Sequence, residues 1–233
     1  MRKIAMPLAV LLAAGTVFAA PGNKVAERLN HCAIVIDEIM SAPDKGLPKD
    51  LLDKAVCVGV VPAEKTFAFG VGGSYGRGAL ACRRGGTASW GPPSMFFLGG
   101  GSFGFQLGGE STDVVFIVMN GDGAHKLVQD SVKLGADASI AGGPVGRDSS
   151  GATDLQMHAE ILSYSRARGL FAGVSLNGSV VKQDRESNRR LYGRRISARD
   201  ILFTSAAHPP AAAHRLDLTL TRHSPHGGQP FRD

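Results

Sequence analysis

The chain has 233 residues and a formal charge of +6, with 43% hydrophobic and 20% charged residues, ordinary values that exclude wholesale disorder. That length suits one large domain or two small ones, and the 6% aromatic content, with one Trp, is too low for a stacking platform that grips single-stranded nucleic acid. Glycine is the outlier at 31 residues, roughly double average usage and without a collagen period, so tight turns and bent strands are expected.

Residues 1–19 read as a signal peptide. Arg2 and Lys3 form a positive start, Ile4 to Gly15 an apolar stretch, and Val17-Phe18-Ala19 a small-residue cleavage pattern. The apolar run falls short of the ~20 residues a spanning helix needs, and Pro7 interrupts it. Cleavage after Ala19 would bring the charge to +4 and deliver an exported chain, periplasmic or secreted. Export would expose Cys32, Cys57 and Cys82 to oxidising conditions. Cys57 and Cys82 lie in two strand-like segments, and a bridge between them is favoured over three buried thiols.

Residues 20–46 hold an amphipathic helix and a linker. Val25, Leu29, Cys32, Ile36 and Ile39 recur at alternating steps of four and three, one face of a helix from Asn23 to Ser41. Pro48 is placed to open a second short helix through Lys54. Short apolar runs then alternate with Gly- or Pro-containing breaks: Val56 to Val61, Thr66 to Gly72, Gly78 to Arg83, Ser94 to Leu98, Ser102 to Leu107 and Asp113 to Met119. That spacing predicts an antiparallel sheet or barrel. A helix is expected over Gly121 to Lys133, strands over Ala159 to Ser165 and Leu170 to Val181, and a short helix over Ser197 to Phe203. Residues 205–233, rich in Ala, Pro, His and Gly without periodicity, read as a mobile tail.

Most chemical motifs fail on context. Gly99 to Gly104 fits G-x-G-x-x-G, but a strand-like segment follows where a dinucleotide site needs a helix. Asp154, His158, Glu160 and Ser163 include an acid, a base and a nucleophile, the basis of a less favoured hydrolase reading, with a polar strand face as the plainer alternative. His208, His214, His223 and His226 are spaced too irregularly for a structural metal site. No cofactor, metal or catalytic residue is expected.

Charge is more informative. Between Val181 and Arg199 stand Lys182, Arg185, Arg189, Arg190, Arg194, Arg195 and Arg199 against Asp184 and Glu186, a local +5. Such a patch can attract anionic headgroups. The alternative is a solvated connector whose arginines pair with carboxylates elsewhere.

Several runs occurring in order resemble the SYLF domain. They are Tyr75-Gly76-Arg77-Gly78, Trp90-Gly91-Pro92-Pro93, Gly99 to Gly108, Leu134 to Ser139, Ala141 to Arg147 and Ile161 to Leu176. The similarity covers residues 47–204 and suggests a bacterial exported member. It implies a compact α+β domain that binds anionic, phosphoinositide-like lipids and, in fungal members, actin. The expectation is therefore a curved, barrel-like antiparallel sheet with a few short helices packed on it, without catalytic activity. Its function would be peripheral association with anionic lipid at the cell envelope through Lys182, Arg185, Arg189, Arg190, Arg194 and Arg195. A structural envelope role with a protein partner is the alternative. Nucleic acid is excluded, and actin is set aside for an exported chain.

Overall fold

The computed structural model describes residues 23–42, 46–69, 71–84, 89–102, 108–145, 158–167 and 170–225. It opens with helix α1 (Asn23–Ser41) and the short α2 (Lys49–Lys54). Four long strands follow: β1 (Cys57–Phe69), β2 (Val71–Cys82), β3 (Ser94–Ser102) and β4 (Gly108–Val118). Helix α3 (Gly121–Leu127) leads to β5 (Ser131–Lys133), β6 (Ile140–Gly142), β7 (Ile161–Ala167), β8 (Leu170–Gly173) and β9 (Val180–Gln183). Three helices close the domain: α4 (Arg185–Tyr192), α5 (Ala198–Phe203) and α6 (His214–His223). The strands form one curled, half-barrel sheet in the order β5-β9-β3-β2-β1-β4-β7-β6, with β8 also on β7. All pairings are antiparallel except β6 with β7. This is the α+β class that the resemblance implies, built on the antiparallel sheet that the alternating apolar runs predict.

Both faces of the sheet carry core. Val58, Val60, Ala79, Val115, Ile117 and Tyr164 point to one side, where the apolar stripe of α1 covers them. Val25, Leu29, Cys32, Ile36 and Ile39 are all buried there, so the periodicity read from sequence is the docking face. Phe96, Leu98, Val114 and Phe116 point to the other side, under Leu127 of α3 and Ile201 and Leu202 of α5. Cys57 and Cys82 stand directly opposite one another on β1 and β2 and form a disulfide on that second face. Cys32 is free and buried, its thiol pushed up to about 12 by loss of solvation.

Several expectations need correction. The two segments Val56 to Val61 and Thr66 to Gly72 belong largely to one strand, β1. The break at Pro62-Ala63 is a bulge, with Ala63 at φ 53° and its amide donating to Asp113 Oδ1 at 3.0 Å. The helix expected through Lys133 ends at Leu127, capped at its start by Asn120, and Ser131–Lys133 instead pairs with β9. The expected strand over Leu170 to Val181 is two, β8 and β9. The expected strand over residues 102–107 lies mostly outside the described residues.

The largest difference concerns residues 205–225, the described part of the segment expected to be a mobile tail. Within them α6 buries Leu216, Thr219 and Leu220 and packs along α1. Its end is pinned by His223 Nε2 against Asp37 Oδ1 at 2.9 Å and by Ser224, whose hydroxyl lies 2.6 Å from Nη2 of Arg83. Arg83 is itself buried, donates to the Ala55 carbonyl at 3.0 Å and stacks 4.0 Å over the Trp90 ring. A few leucines and one distant arginine tie this segment down, which composition averaged over a window of Ala, Pro and His obscures.

Candidate functional site

The six cationic residues expected to bind lipid fall on β9, on α4 and in the loop after it. Along β9 the side chains alternate: Val181 is buried and Lys182 is exposed. Asp184 then ends the strand and starts the helix. Its carboxylate accepts from the Ser187 amide at 3.0 Å and from the Ser187 hydroxyl at 2.7 Å, an N-cap in a buried setting. The same carboxylate lies 3.9 Å from both Arg28 of α1 and Arg77 of β2. Asn188, one turn on, accepts from the Met95 amide at 2.7 Å and donates to Ser94 Oγ at 3.1 Å. Tyr192 donates to the Pro93 carbonyl at 2.6 Å, and Gly193, at φ 70°, ends the helix in the left-handed region.

Helix α4 is thus moored to β3 through buried polar groups, with its arginines on the outside. Arg185 meets Asp130 at 2.5 Å, and Arg189 and Arg190 both meet Glu186, at 2.9 Å and 3.0 Å. Those two guanidinium donors hold the Glu186 carboxyl down at about 2. Arg194 donates to the Ala206 carbonyl. The side chains of Lys182 and Arg195 make no hydrogen bond or ion pair among the described residues. An open cleft of about 810 Å3 lies between Arg185, Arg189 and Arg195 on one hand and Asp130, Glu186 and Asp200 on the other. The site is a cationic helix whose charge is partly offset, not an unbroken basic patch.

The sequence reading missed two things here. It assigned this stretch no helix, weighing a positive patch against a solvated connector, although Asp184 three residues before Ser187, and Gly193 beyond Tyr192, are the start and stop signals of a helix. It also missed Arg28 and Arg77, which only the fold brings to Asp184.

The hydrolase residues do not assemble. Asp154 lies outside the described residues, and His158 is exposed. Glu160 is committed to Lys126 Nζ at 2.6 Å and to the Ser139 amide at 2.8 Å. Burial pushes its carboxyl up, but these donors outweigh that and hold it below the usual range. Ser163 Oγ is buried and donates to the Val174 carbonyl at 2.5 Å, which leaves its proton directed at a carbonyl and not at a base. The Gly99 to Ser102 part of the glycine-rich motif belongs to β3, the next described element is the strand β4, and Gly104 is outside the described residues. No group of three or more His, Cys, Asp or Glu among the described residues is placed to hold a metal ion, and no described helix is long and apolar enough to cross a membrane.

A curled sheet flanked by short helices, with a polar-moored cationic helix at one end, makes this an α+β domain without an assembled catalytic site among the described residues. Comparison with known proteins agrees. The profile of the Ysc84 family, described as "Las17-binding protein actin regulator", matches residues 99–223, more than half of the chain, and the chain belongs to that family. It is 34% identical over 172 residues to LAS seventeen-binding protein 3 of Saccharomyces cerevisiae, covering 72% of this chain and 37% of the relative. It is likewise 34% identical over 174 residues to SH3 domain-containing YSC84-like protein 1 of Homo sapiens, covering 74% of this chain and 50% of the relative. The chain therefore spans half or less of the length of these curated relatives. The names they carry are those of binding proteins, not of enzymes.

Proposed function

We propose that this domain is a non-catalytic binding module that associates peripherally with anionic lipid headgroups through Lys182, Arg185, Arg189, Arg190, Arg194 and Arg195. The observation that supports this most is their placement: all six are exposed, on β9, α4 and the adjoining loop. Asp130, Glu186 and Asp200 oppose them, leaving a surplus of three positive charges. Exposed ion pairs are worth little, about 0–1 kcal/mol each. Exchanging such a carboxylate for a phosphate, which a guanidinium can grip with two parallel bonds, therefore costs little. Export of the chain, supported by the pattern of residues 1–19, belongs to the same proposal and would put this surface at the cell envelope.

The test is co-sedimentation of the protein with phosphatidylcholine and phosphatidylglycerol vesicles across a salt series. A variant with Arg185, Arg189, Arg190, Arg194 and Arg195 changed to Gln runs beside it. Binding confined to anionic vesicles, weakened by salt and reduced by at least about tenfold in the variant, is the expected result. Equal binding by variant and parent would remove this surface from the function. The second reading is protein binding. The family description names actin regulation, so actin, set aside on sequence grounds, is restored as a partner to test by sedimentation with filaments.

A further inference from the structure

We infer that a second surface, a shallow hollow on the open flank of the sheet centred on Gly99, docks an apolar side chain carried by an acidic segment of a protein partner. This surface is distinct from the arginines of α4 and of the loop after it, and shares only Lys182 with the residues proposed for lipid binding. Tyr75 of β2, Gly99 of β3 and Val180 of β9 are register neighbours across three strands, and so are Arg77, Phe97 and Lys182 in the next row. Alternation along each strand puts both rows on the face that α1 covers elsewhere. Here that cover ends. The result is a hollow of about 500 Å3 lined by Tyr75, Phe97, Gly99, Gly100, Val180 and Lys182.

Gly99 is what makes it hollow. A Cβ built there would meet only the Ser74 carbonyl, at 3.7 Å, an ordinary contact. Neither packing nor backbone angle demands glycine at this place, and glycine inside a strand weakens it. The missing side chain leaves a gap between Tyr75 and Val180 that the fold has no need of. The walls are held in shape: Arg77 lies 4.7 Å over the Phe97 ring, and its Nε donates to the Tyr75 hydroxyl at 2.8 Å. Tyr75 is 48% exposed, high for an aromatic group of this size.

Charge selects the occupant. Lys182 lines the hollow, Arg77 caps its aromatic wall, and Lys133 stands opposite Val180 in the register of β5. No carboxylate lines the hollow among the described residues. Near it, the buried Asp184 is shared between Arg77 and Arg28, one negative charge against two positive. A concave apolar floor accepts a knob, whereas a bilayer surface is engaged by a protruding group. A cationic rim around such a floor therefore fits an acidic peptide with one aromatic or aliphatic anchor.

The experiment is an amide-shift titration of the isotope-labelled full chain with a synthetic pentapeptide of four acidic residues around a central tryptophan. Two control peptides replace the tryptophan with serine or the acids with lysine. The expected result is saturable shifts at Gly99, Gly100 and Val180, with affinity about tenfold lower for either control peptide and for Gly99→Val or Arg77→Gln. Gly99→Val should melt at or above the parent temperature, so its loss of binding reports the filled hollow. The variant lacking the five arginines of α4 and its loop should bind the peptide as the parent does, which separates this surface from the lipid-binding proposal. Unchanged peptide affinity in Gly99→Val overturns the inference. So does equal binding of the serine peptide, or phosphatidylglycerol vesicles shifting the same three amides and displacing the peptide.

Discussion

One face of the sheet is treated in two ways. Over β1, β4 and β7 it is sealed by α1, with α6 packed beside that helix, and Val58, Val60, Ile117 and Tyr164 are buried. Towards the far end of β3 and over β9 the described residues leave the same face uncovered, and its residues change from Met95 and Ala79 to Arg77, Phe97 and Lys182. The difference teaches that where the helices stop is encoded in the strands as much as in the helices. Under the helices the strand positions are uniformly apolar, whereas on the flank that the described helices leave uncovered cations and a glycine stand among the apolar side chains.

That contrast can be broken most sharply at the seal. Arg83→Ala would leave the Ala55 carbonyl and the Ser224 hydroxyl without their buried donor, and should cost about 3–5 kcal/mol in denaturant unfolding. Gly173→Val comes next, because a Cβ at Gly173 would sit 2.1 Å from the Gly143 carbonyl, and a loss of about 3 kcal/mol is expected in the same measurement. Leu216→Ala should cost about 2–3 kcal/mol if α6 is part of the core; a value near zero would return this segment to a loose tail. Gly99→Val on the open flank should change stability by less than about 1 kcal/mol, the opposite of Gly173→Val despite identical chemistry.

A fifth prediction concerns pH and has only a direction. Burial raises the Glu64 carboxyl above its usual range, against a weaker opposing hydrogen bond from Ser74. With the folded value above the unfolded one, the charged form is disfavoured by folding. Stability attributable to Glu64 is therefore highest in acid and falls as pH rises from the unfolded to the folded value. Glu64→Gln should melt higher than the parent at neutral pH, and the gap should close as the pH is lowered below the carboxylate range. A constant gap across that titration would show that Glu64 acts by packing alone.

Legibility in the sequence followed the kind of force involved. The α1 stripe and most strands were readable because apolar burial imposes a period of 3.6 or 2. The cysteine pair was readable once its segments were seen as neighbouring strands. Helix α4 was not, because Ser187 and Asn188 bury polar groups, and hydrophobic periodicity is blind to docking by hydrogen bonds. Its charges were all found by counting, yet counting could not pair Arg185 with Asp130, 55 positions away. Nor could it show that Gly99 leaves room for a Cβ at an ordinary contact distance while Gly173 does not. Composition treats those two glycines as the same residue.

The Asp184 cluster has a kinetic consequence. Arg28 and Ser187 meet across 159 positions of chain, and Arg77 reaches the same carboxylate from a different strand. Closing such long loops is slow, and it rewards the chain only after α1 and the sheet are already in place. The cationic helix should consequently be among the last parts to settle during refolding. Recovery of the vesicle binding proposed for this surface should then lag behind the recovery of β-sheet signal, so that a half-folded chain carries the same charges without presenting them on one surface.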